Sequence, residues 1–237
     1  MNGMNDPVLE DSRFTVPLYT VGEAARFLGV PSSTFSTWAK GYVRRPPGRP
    51  TVTGDPIVTS IAAEPRYPTI PFVGLAEGMV IAAFRRAGVS LQHIRRAVAV
   101  LEREIGVDHA LASRRLYTDG AVILFDYAES EHDDTLTVVV TQQRVFTPVV
   151  EEYLERIEHG PDGWAVRVAS PVTSRPIVLV DPRRAFGQPI FSRGAAPVES
   201  IVDRVRAGDP IAEVADDFGV PEADVRDYLD AAVPLAA

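Results

Sequence analysis

The segments Leu28-Gly29-Val30-Pro31 and Phe218-Gly219-Val220-Pro221 lie near opposite ends of a 237-residue chain and constrain it more than any other feature. Two helices crossing at a fixed angle need a small residue at the crossing, a residue at ease in left-handed backbone at the turn, and apolar anchors on the second helix. The first segment supplies Ala25, Gly29, Val30-Pro31, Phe35 and Trp38. The second supplies Ala215, Gly219, Val220-Pro221, Val225 and Tyr228 at the same offsets. Each copy predicts a helix-turn-helix, a shape that also serves as a plain helical hairpin without nucleic acid.

After a polar leader, Thr20 predicts an N-cap, with Glu23 three residues on completing a capping box, so Tyr19 to Tyr42 reads as two short helices. From Val43 to Pro71, seven prolines, with Arg44, Arg45 and Arg49 in the first part of the stretch, predict an extended wing or arm. Helical spacing resumes from Phe72 to Phe84, stops at Gly88 and restarts behind Ser90. There Leu91, Ile94, Val98, Leu101 and Ile105 alternate three- and four-residue steps, too few for a coiled coil, and predict a core-facing helix rather than a dimer seam.

The middle of the chain changes period. Val122–Phe125, Leu136–Val140, Trp164–Val168 and Ile177–Val180 predict strands, with a helix over Pro148–Ile157. Asp119-Gly120 reads as a hairpin turn, and Glu129 to Asp134 as a solvated hairpin tip rather than a metal loop. Pro197 to Ala232 predicts helices broken at Gly208 and Gly219. The expected fold is α+β, mainly α: a winged helix-turn-helix with following helices at 14–115, a small α/β unit at 116–185, and a C-terminal helix-turn-helix-like module at 186–237.

Charge separates the two copies. Residues 1–115 hold 14 Lys and Arg against 10 Asp and Glu, a net +4, while residues 116–237 hold 10 against 22, a net −12. A helix that enters a groove meets one phosphate charge per roughly 1.7 Å of duplex axis. The first copy offers Ser32, Ser33, Thr34, Ser36, Thr37 and Lys40, able to bond phosphates or base edges, followed by Arg44, Arg45 and Arg49. The second offers Glu222, Asp224, Asp227 and Asp230 with only Arg226 for balance, which a groove repels. It reads as a protein-binding or dimerising module.

With these residues in place, Tyr19-Thr20-Val21-Gly22-Glu23-Ala24-Ala25-Arg26-Phe27-Leu28-Gly29-Val30 resembles the opening of MerR-type winged helix-turn-helix regulators. The chain departs from them in its Ser- and Thr-rich second helix and in lacking a long dimerisation helix directly afterwards. The run from Gly187-Gln188-Pro189-Ile190 through Gly208-Asp209-Pro210 to Phe218 looks like a small helical domain of bacterial antitoxins. Together with Gly88-Val89-Ser90-Leu91-Gln92-His93-Ile94-Arg95-Arg96-Ala97 and Leu116-Tyr117-Thr118-Asp119-Gly120, it is similar to long mycobacterial VapB-type antitoxins. That resemblance implies a VapC-type partner, a PIN-domain ribonuclease toxin with an acidic, magnesium-dependent site, and repression of the shared operon through operator DNA, for which a homodimer on a two-fold site is the usual case. Arg183, Arg184 and Arg193 are then candidates to meet the toxin's carboxylates. The alternative is a stand-alone MerR-like regulator without a toxin.

Catalysis leaves little trace. With no Cys, thiolate metal sites and cysteine nucleophiles are excluded. His93, His109, His132 and His159 form no metal-binding pair at helical spacing, and no phosphate loop or nucleophile elbow is present. His93 reads as a solvated helix residue, and Trp38 and Trp164 as core anchors. No enzyme and no cofactor are expected. No apolar run approaches the roughly 20 residues that span a bilayer, and Met1–Arg13 is too polar for a signal peptide, so a cytoplasmic protein without membrane contact is expected.

Overall fold

The computed structural model describes residues 11–45, 48, 50–64, 66–131, 140 and 146–232. Local signals open its elements. A one-turn helix, α1 (Ser12–Thr15), starts at Asp11, whose carboxylate accepts from the Arg13 amide at 2.9 Å. Strand β1 (Pro17–Tyr19) leads to α2 (Val21–Leu28). There Thr20 Oγ1 accepts from the Glu23 amide at 3.2 Å and Glu23 accepts from the Thr20 amide at 2.8 Å, completing the capping box. Helix α3 (Ser32–Lys40) follows, and then β2 (Tyr42–Arg44) pairs antiparallel with β3 (Val52–Gly54) to form the wing. Strand β4 (Ile70–Pro71) returns to β1.

Helix α4 (Phe72–Arg86) is buried without interruption from Phe72 to Phe84, and α1, α2 and the later α7 (Pro148–Leu154) pack around it. Helix α5 (Leu91–Ile105) begins at Ser90, which accepts from the His93 amide, and ends at Gly106. On it Ile94, Leu101, Ile105 and Val98 are buried and Leu91 is half-buried, so the spacing faces the core.

The structure departs from the sequence pattern at several points. The polar leader is structured from Asp11, and Phe14 joins the core at 7 % exposure. Arg13 is buried too, because its guanidinium pairs with Asp11 and with Asp162, and donates to the Ala165 carbonyl at 3.3 Å. The run Val122–Phe125 is helical rather than a strand. A π-turn at Leu116–Gly120 continues into α6 (Ala121–Glu131), with Ala121, Leu124 and Ala128 buried at i, i+3, i+7. Asp119-Gly120 therefore sits inside a helical turn and not a hairpin, since Gly120 is buried against Leu116. Glu129 to Glu131 form the end of α6 rather than a hairpin tip, while His132 to Asp134 and the run from Leu136 to Val139 lie outside the described residues.

The remaining sheet is antiparallel in the order β5 (Ile157–His159), β6 (Ala165–Ala169), β7 (Val178–Val180), β8 (Ile190–Phe191). Val168 faces Ile157 on one side and Val180 on the other. Helices α8 (Val198–Arg206), α9 (Ile211–Asp217) and α10 (Glu222–Ala232) complete the chain. The fold is α+β and mainly helical.

One polar tie joins α4 to the base of the wing. Glu77, 4 % exposed in mid-helix, accepts from the Thr59 amide at 2.6 Å and its hydroxyl at 3.0 Å, and lies 2.8 Å from His109 Nδ1. The Glu77 hydrogen bond lifts His109 above its ordinary 6.5 against the opposing effect of burial, with Asp108 and Glu102 adding to the rise. Glu102 is itself raised, by burial first and by Glu77 second. A folded-state pKa above the unfolded one contributes stability that is full below about 6.5 and lost as pH climbs through the raised value. His109 has φ 59°, so His109→Asn keeps a side chain suited to left-handed backbone. The gap in thermal midpoint between wild type and His109→Asn is expected to shrink from about pH 6 to about pH 9. A gap that widens over that range contradicts the tie.

Candidate nucleic-acid interface

The two helix-turn-helix copies match bond for bond. Gly29 and Gly219 both adopt left-handed backbone, φ 67° and 62°. Val30 donates to the Ala25 carbonyl at 3.0 Å and Val220 to the Ala215 carbonyl at 2.9 Å. Thr34 and Asp224 likewise donate to the carbonyls of Pro31 and Pro221, at 3.0 and 2.9 Å. The crossing residues Ala25 and Ala215 are buried, as are the anchors Phe35, Trp38 and Val225. Tyr228 is half-buried, edge-on to Phe191 at 5.9 Å.

With Phe35, Trp38 and Ala39 turned inward, α3 leaves Ser32, Ser33 and Lys40 exposed and Thr34, Ser36 and Thr37 half-buried. The Thr37 hydroxyl donates to the Ser33 carbonyl at 2.9 Å, which leaves it an acceptor for an outside group. Arg44 and Arg45 are exposed on the wing, and Arg49 lies outside the described residues. Lys40 also borders a cleft of about 580 Å³ shared with Arg66 and Tyr67. The wing is aimed by Tyr42, whose ring has the guanidinium carbons of Arg44 at 5.3 Å and Arg95 at 5.0 Å from its centroid. Arg95 comes from α5 and donates to the Asp55 carbonyl at 2.8 Å, fastening the wing's base to that helix. Spacing alone gives no hint of Arg95, which shows only as a polar position on an amphipathic helix. His93 is half-buried, with Nδ1 2.7 Å from the Ser90 hydroxyl.

The second copy differs at the position equivalent to Thr34. Asp224, expected on the exposed acidic face, is fully buried. Arg193 grips it with a two-nitrogen fork at 2.7 to 3.0 Å, and Arg175 reaches it at 3.1 Å. A carboxylate so paired can leave water, which is why burial wins over solvation here. Arg193, a candidate to meet outside carboxylates, holds its fork on Asp224 within the chain. Arg175 also pairs with Asp227 at 2.5 Å, and Arg226 pairs with Glu222. Asp227 and Asp230 remain exposed, while Arg183 and Arg184 are exposed next to the sheet. Among the described residues no three His, Asp or Glu side chains gather to hold a metal ion, and no helix is long and apolar enough to cross a membrane.

Asp224→Ala is expected to lower unfolding free energy by about 2–3 kcal/mol in urea titration, since it strips the partner from a buried fork. Asp227→Ala, at a half-exposed carboxylate, should cost under about 1 kcal/mol. Equal costs would show that burial of Asp224 carries no weight.

Comparison with known proteins agrees with this geometry. Residues 17–98, which run from β1 through the wing into α5, match a family described as "Putative DNA-binding HTH domain". Residues 178–231, which run from β7 into α10, match one described as "Protein of unknown function (DUF433)". The chain is 43% identical over 232 residues to "Putative antitoxin VapB45" of Mycobacterium tuberculosis, covering 92% of this chain and 95% of that one. It is 27% identical over 221 residues to "Uncharacterized protein Rv2308" of the same organism, covering 90% and 89%. The crystal structure of Rv2018 from Mycobacterium tuberculosis superposes with a TM-score of 0.79 at 38% identity, covering 92% of this chain and 99% of that one. A shared helix-turn-helix and near-full-length identity lead to one conclusion: the chain belongs to the family of long VapB-type antitoxins.

Proposed function

We propose that this protein binds operator DNA through α3 and the wing, represses its own operon, and neutralises a VapC-type PIN-domain ribonuclease. The observation that carries the DNA reading is the contrast between the copies. One turn geometry is built twice, and only the first copy exposes hydroxyls together with Lys40, Arg44 and Arg45. Arginines on the wing meet phosphates, and Ser32 and Ser33 on the leading edge of α3 meet phosphate or base edges. Binding as a homodimer to a two-fold operator is part of this reading. The toxin reading rests on the name of the 43% identical relative, and Arg183 and Arg184 are its nominated contacts.

Replacing Arg44, Arg45 and Arg49 together by Ala is expected to weaken operator binding and reduce the salt slope by about one unit for each phosphate that is no longer neutralised. Unchanged affinity and slope, measured by fluorescence anisotropy across a salt series, reject the role of the wing. Ser36→Ala is expected to relax sequence preference while leaving the slope alone. For the toxin arm, the full chain and the PIN-domain protein encoded beside it should co-purify without ribonuclease activity. A ribonuclease left fully active by excess of this chain contradicts neutralisation.

A further inference from the structure

Phe186 is 94 % exposed, the most exposed large apolar side chain among the described residues. It stands at the tip of a turn in which three consecutive residues have positive φ: Ala185 at 46°, Phe186 at 53° and Gly187 at 78°. Left-handed backbone presses Cβ against the neighbouring carbonyl, so two side-chain-bearing residues in a row do not adopt it unless the surroundings hold them there. They do. The Tyr19 hydroxyl donates to the Gly187 carbonyl at 2.8 Å. At the near end the Arg183 amide donates to the Asp181 carboxylate, and the Arg184 amide to the Asp181 carbonyl, both at 2.9 Å. At the far end the Gln188 amide donates to the Ala185 carbonyl at 2.9 Å. The fold stores strain in a rigid turn whose product is an aromatic ring held in water.

Charge beside that ring says what would cover it. In the same sheet and its loops Arg167, Arg175 and Arg193 are all paired with carboxylates of this chain. Arg183 and Arg184 are exposed and form no ion pair among the described residues. An aromatic anchor that follows two uncommitted arginines in one turn fits an apolar pocket rimmed by carboxylates on a protein partner. A rigid turn also loses little freedom on docking.

We infer that the turn Arg183–Gly187 is the docking hook for the acidic ribonuclease partner, with Phe186 entering an apolar pocket and Arg183 and Arg184 pairing with carboxylates around it. The inference rests on the antitoxin reading above and adds the anchor that reading lacks. The test measures the affinity of the full chain for the PIN-domain protein encoded beside it. Phe186→Ala should weaken binding about 30-fold, as loss of an interface hot spot does. Phe186→Gly should weaken it equally without lowering the thermal midpoint, because glycine takes the left-handed backbone without the Cβ clash. Arg183→Ala with Arg184→Ala should weaken it further and flatten its salt dependence. Operator affinity, read in parallel, should stay at the wild-type value in every variant. Wild-type partner affinity in Phe186→Ala overturns the hook and leaves the antitoxin reading standing. Failure of the wild-type chain to bind the partner overturns both. Loss of self-association instead of partner binding in Phe186→Ala assigns the hook to a second copy and overturns the inference.

Discussion

A helix with no watery side until its last turn sets the terms for this fold. From Phe72 to Phe84 every residue of α4 is buried, so its place is fixed by what closes on it rather than by an apolar stripe. Gly78 is one point of closure. A Cβ there would come within 2.8 Å of the Phe35 ring and 2.9 Å of Leu28, so the helix-turn-helix seats directly on bare backbone. Glu77, one residue earlier, is the ionisable group that this burial has to satisfy. Its partners Thr59 and His109 come from the base of the wing and from the segment after α5. The packing of the interior and the anchoring of the segment behind the wing therefore meet at neighbouring residues of one helix.

What could be read in advance was local. Thr20 with Glu23, Ser90, Gly29 and Gly219 each act on backbone groups within a turn of themselves, and all four are where their chemistry places them. The prolines between Val43 and Pro71 marked the wing for the same reason. Distant pairings were invisible. Arg13 is buried with Asp162 as well as its neighbour Asp11, and Asp224 with Arg193 and Arg175, and the distant partners are not announced by anything near either residue. The run Val122–Phe125 failed differently, since four apolar residues satisfy a strand or a helix, and only the burial of Ala121, Leu124 and Ala128 decides. At the proposed interface, Ser32, Ser33, Lys40, Arg44 and Arg45 show in the sequence as a composition of hydroxyls and cations, whereas Arg95 and its seat on Tyr42 required the fold.

The repeated motif shows how far turn geometry and surface use are independent. The same carbonyls accept the same amides in both copies, because a small residue, a left-handed glycine and a proline restart specify the turn by themselves. One position then separates their fates. Thr34 keeps a half-open hydroxyl, while Asp224 draws two arginines from the loops beside the sheet and loses its solvent. The first copy stays available to an outside polyanion, and the second commits its corresponding face to the rest of the molecule.

The hydrophobic cluster that begins at Phe14 reaches Val225 as a single body, passing through the helix-turn-helix, α4, the sheet and the C-terminal helices. Strand β8 belongs by sequence to the last segment and by hydrogen bonding to the sheet before it. The segments matched by the two families, 17–98 and 178–231, are thus units of sequence without being units of folding. A truncation that kept either one would expose apolar surface meant for the other. Melting should accordingly be all-or-none along the chain, with Trp38 in the helix-turn-helix and Trp164 beside β6 losing their surroundings in the same event.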